Sequence, residues 1–286
     1  SSFQNKKIKI LTTDSEFYSF SRQVNWMSEL KLIDLIVVPS APYDTFNERF
    51  KTEIQKNDFD VIFFSQVFFN SAIIVDDLES IVQSVENEKT IIFIDGYHGF
   101  MAVPTDLSQI ENRVFYIAGS YKYAQGGEGC CFMTIPQNCP VVPTLTGWYA
   151  GFQDLENNNS HITFNKNGSR FAGSSMDYTA LYRLHAVLKL YADHHISVDE
   201  IHAFVQKLQK NFLNYIDEIK HPHIHRKNLL MLDPYNHGHF LSFKMPSVEI
   251  CKEVKAELLA KNVITDSRGT ILRFGFAIYQ NEKPVF

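Results

Sequence analysis

From Lys7 to about Phe132 the chain alternates short apolar runs with longer stretches whose apolar residues recur at helical spacing. The runs are KIKIL (7–11), LIDLIVV (32–38), DVIFF (60–64), TIIFI (90–94), VFYIA (114–118) and CCFMTI (130–135). Stretches such as 45–57 and 73–85 carry the helical period between the first four. Strands alternating with helices predict parallel pairing through right-handed crossovers. VIFF and TIIFI are apolar without alternation, as strands covered on both faces are. From Pro136 to Ser175 the pattern turns irregular, with Pro136, Pro140, Pro143 and the turn signal Asn167–Gly168. Asn158 and Asn167 each open an N-x-S sequon and read as turn residues. An amphipathic helix is predicted over 176–194. Ser197-x-x-Glu200 then reads as a capping box that opens a second helix to about Ile219. Strands at 229–233 and 239–244, a helix over 248–261, and strands at 263–266 and 270–277 compose a smaller unit. The expected architecture is α/β: a large domain over 1–196 with a mostly parallel sheet, and a small C-terminal α/β domain over 197–286.

Composition narrows the class without naming a chemistry. The 286 residues are 45% hydrophobic and 14% aromatic, enough for a sizeable core and against disorder. A formal net charge of −5 gives no global attraction to nucleic acid. The longest apolar stretch, from Val61 to Val75, is broken by Ser65, Gln66 and Asn70, short of the ~18 residues of a membrane span. The opening SSFQNKKIKIL has no hydrophobic signal core, and four cysteines are not a disulfide framework. A soluble cytoplasmic protein, with no membrane or nucleic-acid partner, is the expectation.

In open α/β sheets ligands bind at the carboxyl ends of the strands. Asp95 follows TIIFI directly, with His98 close behind, and Tyr121 and Lys122 follow VFYIA ahead of a glycine-rich turn. An acid and a lysine at one sheet edge suggest pyridoxal phosphate chemistry, since a lysine captures the cofactor aldehyde and an acid keeps its ring nitrogen protonated. Spacing alone leaves this open, because a lone lysine after a strand is more often a solvated loop residue. The histidines of HPHIH (221–225), with His237 and His239 beyond, lack Cys or acid at ligand spacing, so a linker is expected there and no metal. Cys130 and Cys131, inside a predicted strand, are expected to be buried.

IDGYHGF and GSYKYAQGGEGCCF resemble the cofactor-binding core of the class V aminotransferase group of fold-type I pyridoxal phosphate enzymes. The Asp-x-x-His and Ser-Tyr-Lys-Tyr steps are most similar to kynureninase. The resemblance continues through Gly147–Trp148, RFAGSS (170–175) and LRFGFAIYQN (272–281), and so covers nearly the whole chain. It implies a pyridoxal 5'-phosphate cofactor, a homodimer and a small amino-acid substrate, with transamination or kynureninase-like side-chain cleavage as the reaction. It also implies roles. Lys122 is the Schiff-base lysine and proton shuttle. Asp95 pairs with the pyridine nitrogen, and His98 supports the ring or that aspartate. Tyr121 bonds the phosphate, Ser174 reaches the phosphate of the neighbouring subunit, and Trp148 joins that contact. Gln66 approaches the ring hydroxyl, and Arg273 clamps the substrate carboxylate. Cys251 falls in a predicted helix, against a desulfurase's mobile-loop cysteine. Set against the family, KIKILTTDSEF matches the middle of the large domain, so an N-terminal segment with a phosphate-holding loop is expected to be missing, and EKPVF stops where a final helix is expected. The other reading is a non-catalytic homologue, a binding or scaffold protein with an incomplete cofactor site.

Overall fold

A computed structural model describes residues 7–137, 139–156, 161–233 and 236–283; Asn158 lies outside them. Six strands form the first sheet: β1 (Ile8–Thr13), β2 (Ile33–Val38), β3 (Val61–Ser65), β4 (Ile91–Asp95), β5 (Val114–Gly119) and β6 (Cys131–Met133). Their order is β2-β1-β3-β4-β5-β6; the first five are parallel and β6 runs antiparallel to β5. Four consecutive strands, β1, β3, β4 and β5, therefore present their carboxyl ends along one edge.

Helices α1 (Tyr18–Glu29), α2 (Phe46–Lys56) and α3 (Leu78–Gln83) accompany this sheet. α2 buries Phe46, Phe50 and Ile54, four residues apart along one stripe, against Leu11, Phe64, Ile92 and Ile94. The other face carries an aromatic ladder: Phe63, Phe93 and Phe115 are register partners on β3, β4 and β5. Phe20 of α1 stacks on one end and Phe171 meets the other edge-on. Much of the phenylalanine content is spent on this double-faced burial.

The helix predicted over 73–85 is shorter. Residues 73–75 return along the segment after β3, with Val75 N–H bonded to the Gln66 carbonyl (2.8 Å) and Phe68 N–H to that of Ile73 (2.9 Å). Helical structure starts only after Asp77, whose side chain accepts from Ser80 N–H. β6 begins at Cys131, so Cys130 precedes the strand; Cys130 is buried as expected, whereas Cys131 is exposed. Over 134–178 the described chain forms 3-10 turns, one of them capped by Asn167 accepting from Ser169 N–H.

α4 (Thr179–Asp193) leads to α5 (Val198–Ile219), where Ser197 and Glu200 form the reciprocal capping box. α5 lays Val205, Leu208, Phe212 and Ile216 on an antiparallel sheet of order β7-β8-β10-β9. Its strands are β7 (Leu229–Leu230), β8 (Phe240–Lys244), β9 (Asp266–Arg268) and β10 (Ile271–Gly275), and α6 (Val248–Ala260) closes the same core. β9 sits three residues later than predicted, because Gly269 (φ 56) and Thr270 form a two-residue turn whose register pairs Arg268 with Ile271. The predicted strand at 229–233 keeps only two residues.

The two sheets meet at Gly238. Its N–H bonds the Ala72 carbonyl at 2.8 Å, and a Cβ there would lie 2.8 Å from the same oxygen. Gln206 and Gln209 of α5 each donate to this segment's carbonyls at 2.6 Å. In HPHIH, His221 Nδ1 accepts from the backbone N–H groups of His223 and Ile224, which folds the run into a turn. Among the described residues no group of three or more His, Cys, Asp or Glu is placed to hold a metal ion, and no helix is long and apolar enough to cross a membrane.

Candidate active site

The carboxyl edge of the first sheet gathers three of the expected side chains. Asp95 is the last residue of β4 and takes a bond from Tyr97 N–H (2.9 Å), which fixes the turn that carries His98. Lys122 stands three residues beyond β5 in a turn closed by the Gly126 N–H bond to the Ser120 carbonyl. Lys122 Nζ lies 2.8 Å from His98 Nε2. The rings of Phe17, Tyr97 and Tyr121 surround the amine at 5.7, 5.7 and 6.0 Å.

Burial among these rings lowers the Lys122 pKa to about 8; the Asp95 charge opposes the fall and the Arg273 charge adds to it. A sizeable neutral fraction near neutral pH is what a nucleophilic amine needs. His98 is pushed well below the ordinary histidine range by burial, then by the charges of Lys122 and Arg273. It is therefore neutral and accepts from the Lys122 ammonium. Burial raises the Asp95 carboxyl, and the Tyr97 N–H and the Lys122 charge partly offset the rise.

Arg273 reaches the site from the second sheet. Its guanidinium lies 4.6 Å from the Phe69 ring centre and 5.3 Å from that of Phe240, and Nη1 donates to the Phe69 carbonyl at 2.8 Å. Both rings in turn pack on His98, at 5.9 and 5.1 Å. The result is a continuous line from Arg273 through the rings to His98 and Lys122. Tyr121 joins it at the surface, 5.7 Å from Tyr97.

Three expected residues stand apart. Gln66 is 2% exposed. Its oxygen accepts from Tyr116 Oη (2.9 Å) and its nitrogen donates to Thr105 (2.6 Å), so packing turns it inward instead of toward a ring hydroxyl. His98 contacts the lysine and the rings of Phe69, Tyr123 and Phe240, and none of these contacts is with Asp95. Trp148 and Ser174 are exposed, on segments that meet where Gly147 packs against the Gly173 carbonyl. Cys251 is 1% exposed inside α6, as its helical setting implied.

Sequence reasoning missed Glu16 and Phe17. The rule that found Asp95 and Lys122 finds them too when applied to β1, whose end reads Thr-Thr-Asp-Ser-Glu-Phe. Glu16 is 6% exposed and accepts from Ser65 Oγ (2.5 Å), Ser65 N–H (3.2 Å) and Thr13 Oγ1 (2.6 Å). These bonds pin the loop bearing Phe17 to the end of β3, beside Asp95, the register partner of Ser65. Burial nevertheless raises the Glu16 carboxyl to about 7.

The family profile described as Aminotransferase class-V matches residues 1–282. No curated protein sequence matches the chain. Among solved structures, the chain is similar to the cystine C-S lyase C-DES, determined with its product cysteine persulfide: TM-score 0.76 at 17% identity, over 98% of this chain and 73% of that one. It is similar to a cysteine desulfurase from Thermococcus onnurineus NA1: TM-score 0.73 at 16% identity, over 98% and 70%. It is also similar to ureidoglycine-glyoxylate aminotransferase from Bacillus subtilis: TM-score 0.65 at 15% identity, over 97% and 70%. At these identities the likeness is one of fold.

Proposed function

The chain belongs to the class V aminotransferase family, whose members use pyridoxal phosphate, and from that premise we propose that it is a pyridoxal phosphate-dependent enzyme acting on a small amino acid at Lys122. The observation that carries the reading is the Lys122 amine itself: buried among rings, lowered to about 8, and set at the same sheet edge as Asp95.

The donor set fits the cofactor. Lys122 supplies an amine for its aldehyde, Asp95 a carboxylate for its ring nitrogen, and Tyr121 a hydroxyl for its phosphate. When bound, pyridoxal phosphate supplies an aldehyde that captures amines and a ring that draws electrons from the substrate α-carbon. The rest falls to the chain. Lys122 Nζ takes the proton from the α-carbon, and neutral His98 holds that nitrogen in place through Nε2. Phe17 and Tyr97 keep water from the amine. Arg273 receives the substrate carboxylate.

Ser174 and Trp148 serve a phosphate site completed by a second copy. Their exposure supports this, as does the apolar surface around them: Leu145, Phe152, Met176 and Tyr182 are all exposed. Dimer mass in light scattering is the expected result. The Asp-x-x-His and Ser-Tyr-Lys-Tyr steps favour kynureninase-like side-chain cleavage, with transamination as the other outcome. Buried Cys251 speaks against desulfuration.

The test is spectroscopic. Protein mixed with pyridoxal phosphate should develop a visible band that Lys122→Ala abolishes, and an amino-acid panel scored for keto acid, ammonia and anthranilate then identifies the reaction. No band with the full-length gene product would refute the enzyme reading in favour of a binding or scaffold homologue.

A further inference from the structure

Arg273 does not stand free in its site. Its Nε donates to Asp266 Oδ2 at 3.1 Å, and Nη2 donates to the same oxygen. The other carboxylate oxygen, Oδ1, takes a bond from Arg268 Nη1 at 2.6 Å. Asp266 is thus held between two guanidinium groups, one on each oxygen. The hairpin produces this arrangement, since β9 and β10 pair Asp266 directly with Arg273.

A guanidinium offers a carboxylate two bidentate edges: the side edge of Nε and Nη2, and the end edge of Nη1 and Nη2. Asp266 fills the side edge. Phe69 and Phe240 confine the guanidinium, and the Phe69 carbonyl holds Nη1. With the Arg273 side chain only 11% exposed, its plane is fixed, and one N–H on each of Nη1 and Nη2 remains for a ligand.

We propose that Asp266 is the positioning residue for carboxylate recognition: it stays bound to the side edge of Arg273, so that a substrate α-carboxylate is received end-on by Nη1 and Nη2. This rests on the amino-acid enzyme reading above and adds to it the residue that aims the arginine.

Two features argue for retention over displacement. Releasing Asp266 would strip one partner each from Arg268 and Arg273 at once. Burial pushes the Asp266 carboxyl up, but its bond to Arg273 and the charges of Arg273 and Arg268 hold it below the ordinary range, so it stays ionised in working conditions. Two arginines and one aspartate leave a single positive charge, which one α-carboxylate neutralises.

The experiment compares L-alanine with ethylamine, the same amine without its carboxylate, as ligands of the pyridoxal phosphate-loaded protein, each titrated by the change in the visible band. Asp266→Asn should weaken L-alanine about tenfold or more and leave ethylamine unchanged, and Asp266→Glu should restore part of the loss. Tighter L-alanine binding by Asp266→Asn would show that Asp266 competes with substrate, and wild-type affinity for both ligands would show that it does not aim the arginine; either overturns the proposal. If Asp266→Asn loses both ligands together, Asp266→Glu decides: a selective loss of L-alanine affinity supports the assignment and a wild-type ratio overturns it. A wild-type protein without a band overturns the enzyme reading and this inference with it, whereas a band with wild-type affinity of Asp266→Asn for both ligands overturns the inference alone.

Discussion

The charge on Lys122 works against the fold that houses it. A pKa lowered from 10.5 to about 8 means that the ammonium is disfavoured in the folded chain by about 3 kcal/mol relative to the unfolded one. Lys122→Met keeps an unbranched chain of similar length and removes the charge, at the loss of one charge-assisted bond to His98 worth about 2 kcal/mol. The variant should therefore be about 1 kcal/mol more stable than wild type at pH 7. Between about pH 8 and 10.5 the unfolded chain holds the lysine proton and the folded chain does not. Wild-type stability rises with pH across that window, so the advantage of the methionine is full below pH 8 and gone by about pH 10.5. Urea melts of both cofactor-free proteins at several pH values measure the difference, and tyrosines that titrate in the same window are common to both. A variant less stable at pH 7, or a difference constant from pH 7 to 10.5, would refute the claim that burial sets the amine.

Other consequences are testable with little more effort. The rate at which the visible band forms should rise with pH through about 8, where Lys122 loses its proton, and level off above it; a profile flat from pH 7 to 9 contradicts the lowered amine. Ser197→Ala removes one half of the capping box at the start of α5 and should lower stability by about 1 kcal/mol in urea melts.

Strands of the first sheet were legible because four lie between helices and read as nearly unbroken apolar runs. Only burial on both faces produces that, and the Phe63–Phe93–Phe115 ladder with the Phe64–Ile92–Ile94 core supplies it. Asp95, His98 and Lys122 were legible because the chemistry of an open α/β sheet collects at strand ends. Glu16 and Phe17 obey the same rule one strand earlier. Their role depends on contacts with Ser65 and Lys122, far along the chain, which no local pattern encodes. Gln66 also follows a strand, yet Tyr116 and Thr105 claim its amide; position names an edge, while side-chain direction depends on packing. The Asp266–Arg273 pair was written in the sequence as a turn. Reading Gly269–Thr270 as a two-residue hairpin loop would have set the register, and the apolar Val263 and Ile264 drew the strand too early. In 73–77 burial alone mimicked helical spacing.

Lys122 as the cofactor-bearing residue can be tested by trapping. The protein is loaded with pyridoxal phosphate, reduced with borohydride, digested, and its peptides are weighed by mass spectrometry. The cofactor-derived mass should appear on the peptide containing Lys122 and on no other, and Lys122→Met should carry none. A label on a different lysine, or the same label in the variant, would contradict the assignment.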